Sequence, residues 1–283
     1  MLRSCVRRRF ACNHTEFCVS FARVGADKRA VFHRKVSLLP LITCATWNIH
    51  RARGRDGRVD PDRIADVIAT DISPERQHHV LALQEADGAC PPHAGILDLD
   101  RISAATGLVY AHQDPALRWG SQSHGFLGAI LFLDPVLHVT ASAVIDLPGH
   151  CHRGAVVVEV IHDQTPMRII TAHLSLSQPL RIVQMRIIGQ YLRRSAVMQN
   201  VLLGDLNEWR PWLGAAFAPA VVGRRFTGGV GRSFPAQRPV LPLDRILSDR
   251  AGAVRNFRVL DTPAIRAASD HLPLSAKVMV TQT

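Results

Sequence analysis

Short apolar runs, most of them closing on a polar cluster, recur along the chain. Leu41–Asn48 reads as a buried strand, and Val80-Leu81-Ala82-Leu83 as a shorter one that stops at Gln84-Glu85. Residues 126–133, 136–145, 155–161 and 167–171 are four more strand candidates, with turn residues between them. Residues 201–204 form a run that stops at Asp205, and 243–247, 254–259 and 273–280 close the series. Helical spacing shows in three places. Asp60-Pro61 supplies an N-cap and a first-turn proline ahead of Ile64, Val67 and Ile68. Residues 92–106 hold a second helix. Residues 178–195 form the longest, with Leu180, Val183, Ile187 and Tyr191 as its apolar stripe and Arg181, Arg186, Arg193 and Arg194 on a solvated face. Residues 208–241 are irregular and rich in Gly, Pro and Arg, and no repeat is present. Strands in hairpin contact with helices interspersed predict an α+β fold: two mostly antiparallel or mixed sheets packed face to face, helices outside.

A length of 283 residues with 47% hydrophobic and 20% charged positions is enough for one large domain and argues against wholesale disorder. The uncharged stretch at 36–49 is 14 residues long and contains Pro40, whereas a membrane span needs about 20 apolar residues, so no transmembrane segment is expected. The net charge of +11 is uneven: residues 1–40 carry nine Lys/Arg against two acids, a net of +7. Residues 1–35 have no periodic apolar face and read as a disordered basic leader, with a catalytic domain over 36–283. The mildly basic remainder suits an anionic substrate. Six cysteines without a CxxC pair argue against a zinc or thioredoxin-like site, and fit scattered buried thiols in a cytoplasmic protein. The alternative is export to the periplasm or a lipoprotein, from Arg34-Lys35 ahead of an apolar stretch and Leu41-Ile42-Thr43-Cys44, although processing there would remove most of a strand.

The chemistry lies at the strand ends: Trp47-Asn48-Ile49-His50, Gln84-Glu85, His173-Leu174-Ser175, Gly204-Asp205-Leu206-Asn207-Glu208, Asp244-Arg245 and Ser269-Asp270-His271. One such cluster is usually only a turn. Six of them, brought to one edge of the sandwich, make a coherent set. Asn48, Glu85 and Asp270 are oxygen donors with no thiolate among them, which selects Mg²⁺ or Mn²⁺ over Zn²⁺. His173 and His271 supply imidazoles for acid–base work or phosphate binding. Asp244 is placed to hold His271 in one tautomer, Asp205 to ease deprotonation of an attacking water, and Asn207 to donate to a phosphoryl oxygen. The set reads as a metal-assisted phosphoester hydrolysis site.

Those segments resemble the endonuclease/exonuclease/phosphatase superfamily, the fold of pancreatic deoxyribonuclease, exonuclease III and the apurinic endonucleases. The chain looks closest to a bacterial branch of metal-dependent phosphodiesterases. Further matching segments are Asp56-Gly57-Arg58-Val59-Asp60, Leu83-Gln84-Glu85-Ala86-Asp87, Arg153-Gly154-Ala155, Ser233-Phe234-Pro235 and Leu272-Pro273-Leu274. In the family's order, the matches span residues 41–280. The resemblance implies a four-layer α/β/β/α sandwich of two six-stranded sheets, with Asn48, Glu85 and Asp270 at the metal. It implies Asp205 and Asn207 at the nucleophilic water and phosphate. His271, paired with Asp244, is then general base or charge partner of the phosphate, and His173 binds phosphate or protonates the leaving oxygen. Either His271 or Asp205 takes the water's proton.

The chain departs from that branch at 124–133, where Gly128 stands for an Asn and Phe132-Leu133 for a Ser-Arg pair, a change expected to affect substrate contacts more than the metal site. Arg153 remains as a substrate-binding candidate. His50 and Glu208 are expected to support the site rather than to ligate, and Trp47, Trp209 and Trp212 to pack in the core or at the rim. The leading reading is a monomeric Mg²⁺- or Mn²⁺-dependent phosphodiesterase acting on an anionic phosphoester. Nucleic acid is one candidate, held by Arg210, Arg224, Arg225, Arg232 and Arg238. A phosphatase or phospholipase acting on a lipid or inositol phosphate is the alternative. A non-catalytic binding member of the fold is the reading from another class, and it predicts missing site residues.

Overall fold

The computed structural model describes residues 40–149 and 153–282. The expected leader over 1–35 and Cys151 lie outside the described residues, as do Cys5, Cys12 and Cys18. The chain first lays down β1 (Leu41–Asn48), α1 (Pro61–Val67), β2 (Val80–Gln84), α2 (Leu99–Thr106), β3 (Val109–Tyr110) and β4 (Ile130–Leu133). There follow β5 (His138–Leu147), β6 (Arg153–His162), β7 (Thr165–His173), α3 (Gln178–Arg194), β8 (Gln199–Asp205), α4 (Pro219–Val222), β9 (Thr227–Gly229) and β10 (Asp244–Ser248). β11 (Val254–Val259), α5 (Pro263–Ala268) and β12 (Leu274–Met279) complete the fold.

The strands form two six-stranded sheets, ordered β11-β12-β1-β2-β4-β3 and β5-β6-β7-β8-β10-β9. Both are mixed: β1/β2 and β7/β8 are parallel and the other pairs antiparallel. Alternation along the strands builds the layers. Ile42, Cys44, Val80, Ala82 and Leu274 meet Val158, Ile169, Val201, Leu203 and Ile246 between the sheets. Ala45, Trp47, Leu81 and Leu83 turn outward onto Ile64 of α1, Ile102 of α2 and Ile265 of α5. On the opposite side Val157, Ile170 and Leu202 face Met185, Ile188 and Leu192 of α3. The result is the expected α/β/β/α sandwich. Among the described residues no helix is long and apolar enough to cross a membrane.

Several expectations need correction. The strand expected at 126–133 pairs only over Ile130–Leu133, because Leu127 (φ 55°) and Gly128 (φ 83°) form a tight turn in which Phe126 and Ala129 exchange backbone hydrogen bonds. Phe132 and Leu133, the departures from the family pattern, are buried core residues. On α3 the expected faces are rotated. Arg181, Gln184, Met185, Ile188 and Leu192 are buried, Val183 is 42% exposed, and of the helix's four arginines only Arg186, Arg193 and Arg194 stay in solvent. Periodicity misplaced the stripe because two of its members, Arg181 and Gln184, are polar. Residues 208–241 are not wholly irregular: they contain a short 3-10 turn, α4 and β9. Cys44 is buried but Cys90 is exposed.

Candidate active site

Strand direction explains why the polar clusters meet. β1 and β2 run in parallel and bring Asn48 opposite Gln84, next to Glu85. β12 runs antiparallel to β1, so the Ser269-Asp270-His271 segment that precedes it reaches the same end. In the other sheet His173 lies opposite Asp205 and Asp205 opposite Asp244. Five strand ends and the turn into β12 therefore share one edge.

Gly204 permits the tightest of these approaches. Its φ is +138°, and a Cβ there would stand 2.1 Å from the Ala172 carbonyl oxygen, on the rung next to His173 and Asp205.

Asp205 is the hub. Its Oδ2 accepts from Asn48 Nδ2 at 3.0 Å and lies 3.3 Å from His173 Nε2 and 3.8 Å from His271 Nε2. Its Oδ1 accepts from the Asn207 amide at 3.0 Å, while Asn207 Nδ2 donates to the Leu174 carbonyl, tying the β7 and β8 loops together. His271 Nδ1 donates to Asp244 Oδ2 at 2.8 Å, and the Ser233 hydroxyl donates to the same oxygen. Glu85 Oε1 is 3.5 Å from Asn48 Nδ2 and 4.0 Å from His173 Nδ1, and its other oxygen accepts from Arg51. Asp270 stands apart from this knot: its buried Oδ1 lies 3.6 Å from His50 Nδ1 and accepts no hydrogen bond.

The charges are arranged unequally. Burial raises Asp205 to about 6; Asp244 adds to that rise, while His271 and the bonds from Asn48 and Asn207 oppose it. Burial alone would lower His271, but Asp244, Asp205 and Asp270 outweigh it and lift the imidazole to about 10. His173 goes the other way: burial first, then Arg153, His271 and Arg51, hold it well below its ordinary value. At neutral pH His271 is charged and His173 neutral.

A buried polar tray supports the loops. Arg181, fully buried, donates to the Ser175 and Leu176 carbonyls and lies 3.5 Å from Glu208. Buried Arg245 donates to the Glu208 and Arg210 carbonyls, and Gln184 accepts from the Ser175 amide. Trp47 donates to the His271 carbonyl and the Ser269 hydroxyl to the Asn48 carbonyl, clamping β1 to the turn.

Of the expected residues, Asn48, Glu85, His173, Asp205, Asn207, Asp244 and His271 form one contact network. Asp270 reaches it through His50 and its field on His271, and Arg153 through its field on His173. Trp47 is buried, whereas Trp209 is 49% and Trp212 75% exposed. Of the arginines expected in a substrate groove, Arg210 pairs with Glu208 and Arg224 with Asp249, leaving Arg225, Arg232 and Arg238 exposed. Arg51, Ser233 and Arg181 were not singled out for the site. Ser233 had a signal, its place in the Ser-Phe-Pro segment; Arg51 had none, because its position follows from three residues with positive φ, His50, Arg51 and Ala52.

The profile of the Endonuclease/Exonuclease/phosphatase family matches residues 45–271. The uncharacterized protein YbhP of Escherichia coli is 29% identical over 162 residues, 55% of this chain and 62% of that protein. The chain thus spans about three fifths of the length of the curated relatives it matches. Among solved structures, an endonuclease/exonuclease/phosphatase from Beutenbergia cavernae superposes with a TM-score of 0.59 at 21% identity, over 85% of this chain and 72% of that one. Another from Bacteroides vulgatus superposes with a TM-score of 0.63 at 14% identity, over 86% and 100%. These two likenesses concern the fold; the profile match, from the middle of β1 to His271, carries the assignment, and the chain belongs to the Endonuclease/Exonuclease/phosphatase family.

Proposed function

We propose that this chain hydrolyses phosphoester bonds, and phosphodiesters in particular, by attack of water on phosphorus. The observation that carries the reading is the chain of contacts from Ser233 and Asp244 through His271 to Asp205, with His173 on the same Asp205 oxygen. Asp205, held near neutrality by burial and aimed by Asn48 and Asn207, takes the proton of the attacking water. His271 stays charged and offsets negative charge building on the phosphoryl oxygens, with Asp244 fixing its ring. Neutral His173 serves as a hydrogen-bond donor, and Arg51 and Arg153 bind the phosphate from its side.

The donor set fits a hard divalent cation. Asn48, Glu85 and Asp270 offer only oxygen, and Asp270 Oδ1 is buried and accepts no hydrogen bond, with His50 Nδ1 3.6 Å away. Mg²⁺ or Mn²⁺ held there would neutralise phosphoryl charge and ease deprotonation of water. A second observation favours a lipid-linked phosphate within the same chemistry. Leu176, Trp209 and Trp212 are exposed on the loops that follow His173 and Asp205, and Arg210 bonds to Gln178 between those loops.

The test is turnover of bis-p-nitrophenyl phosphate, p-nitrophenyl phosphate, DNA, RNA and phospholipid vesicles with Mg²⁺ or Mn²⁺. Chelation should abolish it, and Glu85→Gln should raise the metal concentration required. Unchanged turnover in excess chelator removes the metal assignment; no turnover of any of these substrates removes the hydrolase.

A further inference from the structure

Residues 164–243 supply the loops after β7 and β8 and the segment that carries Ser233, and with them much of the rim of the candidate active site. Over that stretch the sequence holds ten arginines and two carboxylates, Asp205 and Glu208. Both carboxylates are buried, so this stretch shows solvent no negative side chain. Six of the arginines, Arg186, Arg193, Arg194, Arg225, Arg232 and Arg238, are exposed. Arg232 and Arg238 flank the site directly. The Ser233 hydroxyl between them bonds Asp244, and the Ser233 carbonyl accepts the Leu272 amide.

The same rim carries large apolar side chains. Leu176 and Trp212 are each 75% exposed and Trp209 is 49% exposed. Arg181 joins the two loops that bear them: it donates to the Leu176 carbonyl at 2.7 Å and lies 3.5 Å from Glu208. Arg210 completes the join by bonding to Glu208 and to Gln178. A turn closed by the Leu213 amide on the Arg210 carbonyl has Pro211 and Trp212 at its tip, both exposed.

Charge and apolar character together choose the partner. A second copy would set one arginine-rich rim against another, which repels. Nucleic acid would use the tryptophans as stacking platforms. One face of Trp209, however, is covered by the Arg210 guanidinium, 4.5 Å from the ring centre, and Leu176 has no ring to offer. Tryptophan and leucine beside arginine suit the boundary of a bilayer, with the apolar groups among acyl chains and the guanidinium groups on headgroup phosphates.

We infer that this rim docks the protein on a bilayer carrying anionic phospholipid, with Leu176, Trp209 and Trp212 inserted and Arg232 and Arg238 on the headgroups. The cleft then opens toward the membrane. The inference deepens the lipid-linked phosphate reading of that cleft and rests on it for what the docked cleft meets, a phosphoester at the bilayer surface.

The test is sedimentation of the full chain with vesicles of equal parts phosphatidylglycerol and phosphatidylcholine, in excess chelator, with pure phosphatidylcholine as the control. A parallel set of vesicles carries brominated acyl chains, which quench tryptophan on contact. The wild type should prefer the anionic vesicles, leave them as salt rises, and lose tryptophan emission to the brominated chains. L176S/W212S should bind at least about tenfold more weakly and lose most of the quenching, with its melting curve unchanged. R232Q/R238Q should bind at least about fivefold more weakly. The net +7 of residues 1–40 also draws the chain to anionic vesicles. Binding through that segment alone would leave tryptophan unquenched and both variants as tight as the wild type, and that result overturns the inference. So does equal binding to pure phosphatidylcholine, or a DNA oligonucleotide whose binding falls in L176S/W212S while vesicle binding does not. Because chelator keeps turnover out of the readout, the two readings fail separately. Docking without hydrolysis of the vesicle lipid in Mg²⁺ removes the lipid substrate alone, and turnover of bis-p-nitrophenyl phosphate without docking removes this inference alone.

Discussion

Gly204→Ala is the sharpest perturbation of the candidate site that leaves every polar group in place. The added Cβ would begin 2.1 Å from the Ala172 carbonyl oxygen, and Cβ contacts under 3.0 Å are essentially never seen, so β7 and β8 must part by about 1 Å at that rung. The next rung is His173 against Asp205, whose side chains now stand 3.3 Å apart. A misplacement of about 1 Å in such a site costs on the order of 10²-fold in rate. The residue's φ of +138° adds strain of about 1–3 kcal/mol for a side-chain-bearing residue, a fall in Tm of about 2–12 °C for a domain of this size. Turnover of bis-p-nitrophenyl phosphate should be measured well below the variant's Tm, beside melts followed by circular dichroism. Gly120→Ala is the control, since a Cβ there meets nothing within 4 Å. Wild-type turnover and Tm in Gly204→Ala would refute the close-approach argument, and an equal rate loss in the control would show that the effect is not local.

Two further expectations concern histidines. His271→Ala should lower kcat by at least about 10²-fold, Asp244→Asn nearly as much, and the double variant little further, because the pair acts as one unit; multiplicative losses would separate them. His112, fully buried, donates through Nδ1 to the Leu117 carbonyl and accepts the Leu131 amide at Nε2, so only its neutral form satisfies both bonds. Burial lowers it from 6.5 to about 4. The unfolded chain therefore takes up a proton first as pH falls, and about 3 kcal/mol of stability should be lost between pH 6.5 and 4. Urea unfolding of wild type against His112→Gln checks this; a stability difference independent of pH would refute it.

What was legible in the sequence followed from apolar continuity. β1 and β11 begin and end where their runs do, and Asp60 caps α1 through the Arg63 amide as the Asp-Pro pair implied. The site was legible because each of its members flanks an apolar run, ending one as Asn48 and Asp205 do or opening one as Asp244 does, and strand direction does the rest. Legibility failed where burial is not apolar. Arg181 and Gln184 occupy the core-facing stripe of α3 because the loops after β7 and β8 need donors and an acceptor beneath them, a demand set by tertiary structure alone. α5 was missed despite a readable signal, Thr262 followed by Pro263, with the threonine hydroxyl accepting from the Ile265 amide. Arg51 carried no such signal, since the positive φ angles that turn it toward Glu85 have no glycine to mark them.

The charge states of the two site histidines follow from what surrounds each ring rather than from residue type. Both approach the same Asp205 oxygen, at 3.3 and 3.8 Å, and two imidazolium ions that close would repel strongly at a buried position. The conflict is settled by neighbours. His173 shares its side of the cleft with Arg51 and Arg153, so a proton there meets two fixed cations as well as desolvation. His271 faces Asp244, Asp205 and Asp270, and has Nδ1 committed to a carboxylate that Ser233 also holds. One proton on His271 thus satisfies the carboxylates, while burial first, then Arg153, His271 and Arg51, keep His173 neutral. Removing Asp244 should therefore act on both rings: His271 loses the partner that stabilises its charge, and His173 loses the repulsion that His271 exerts on it.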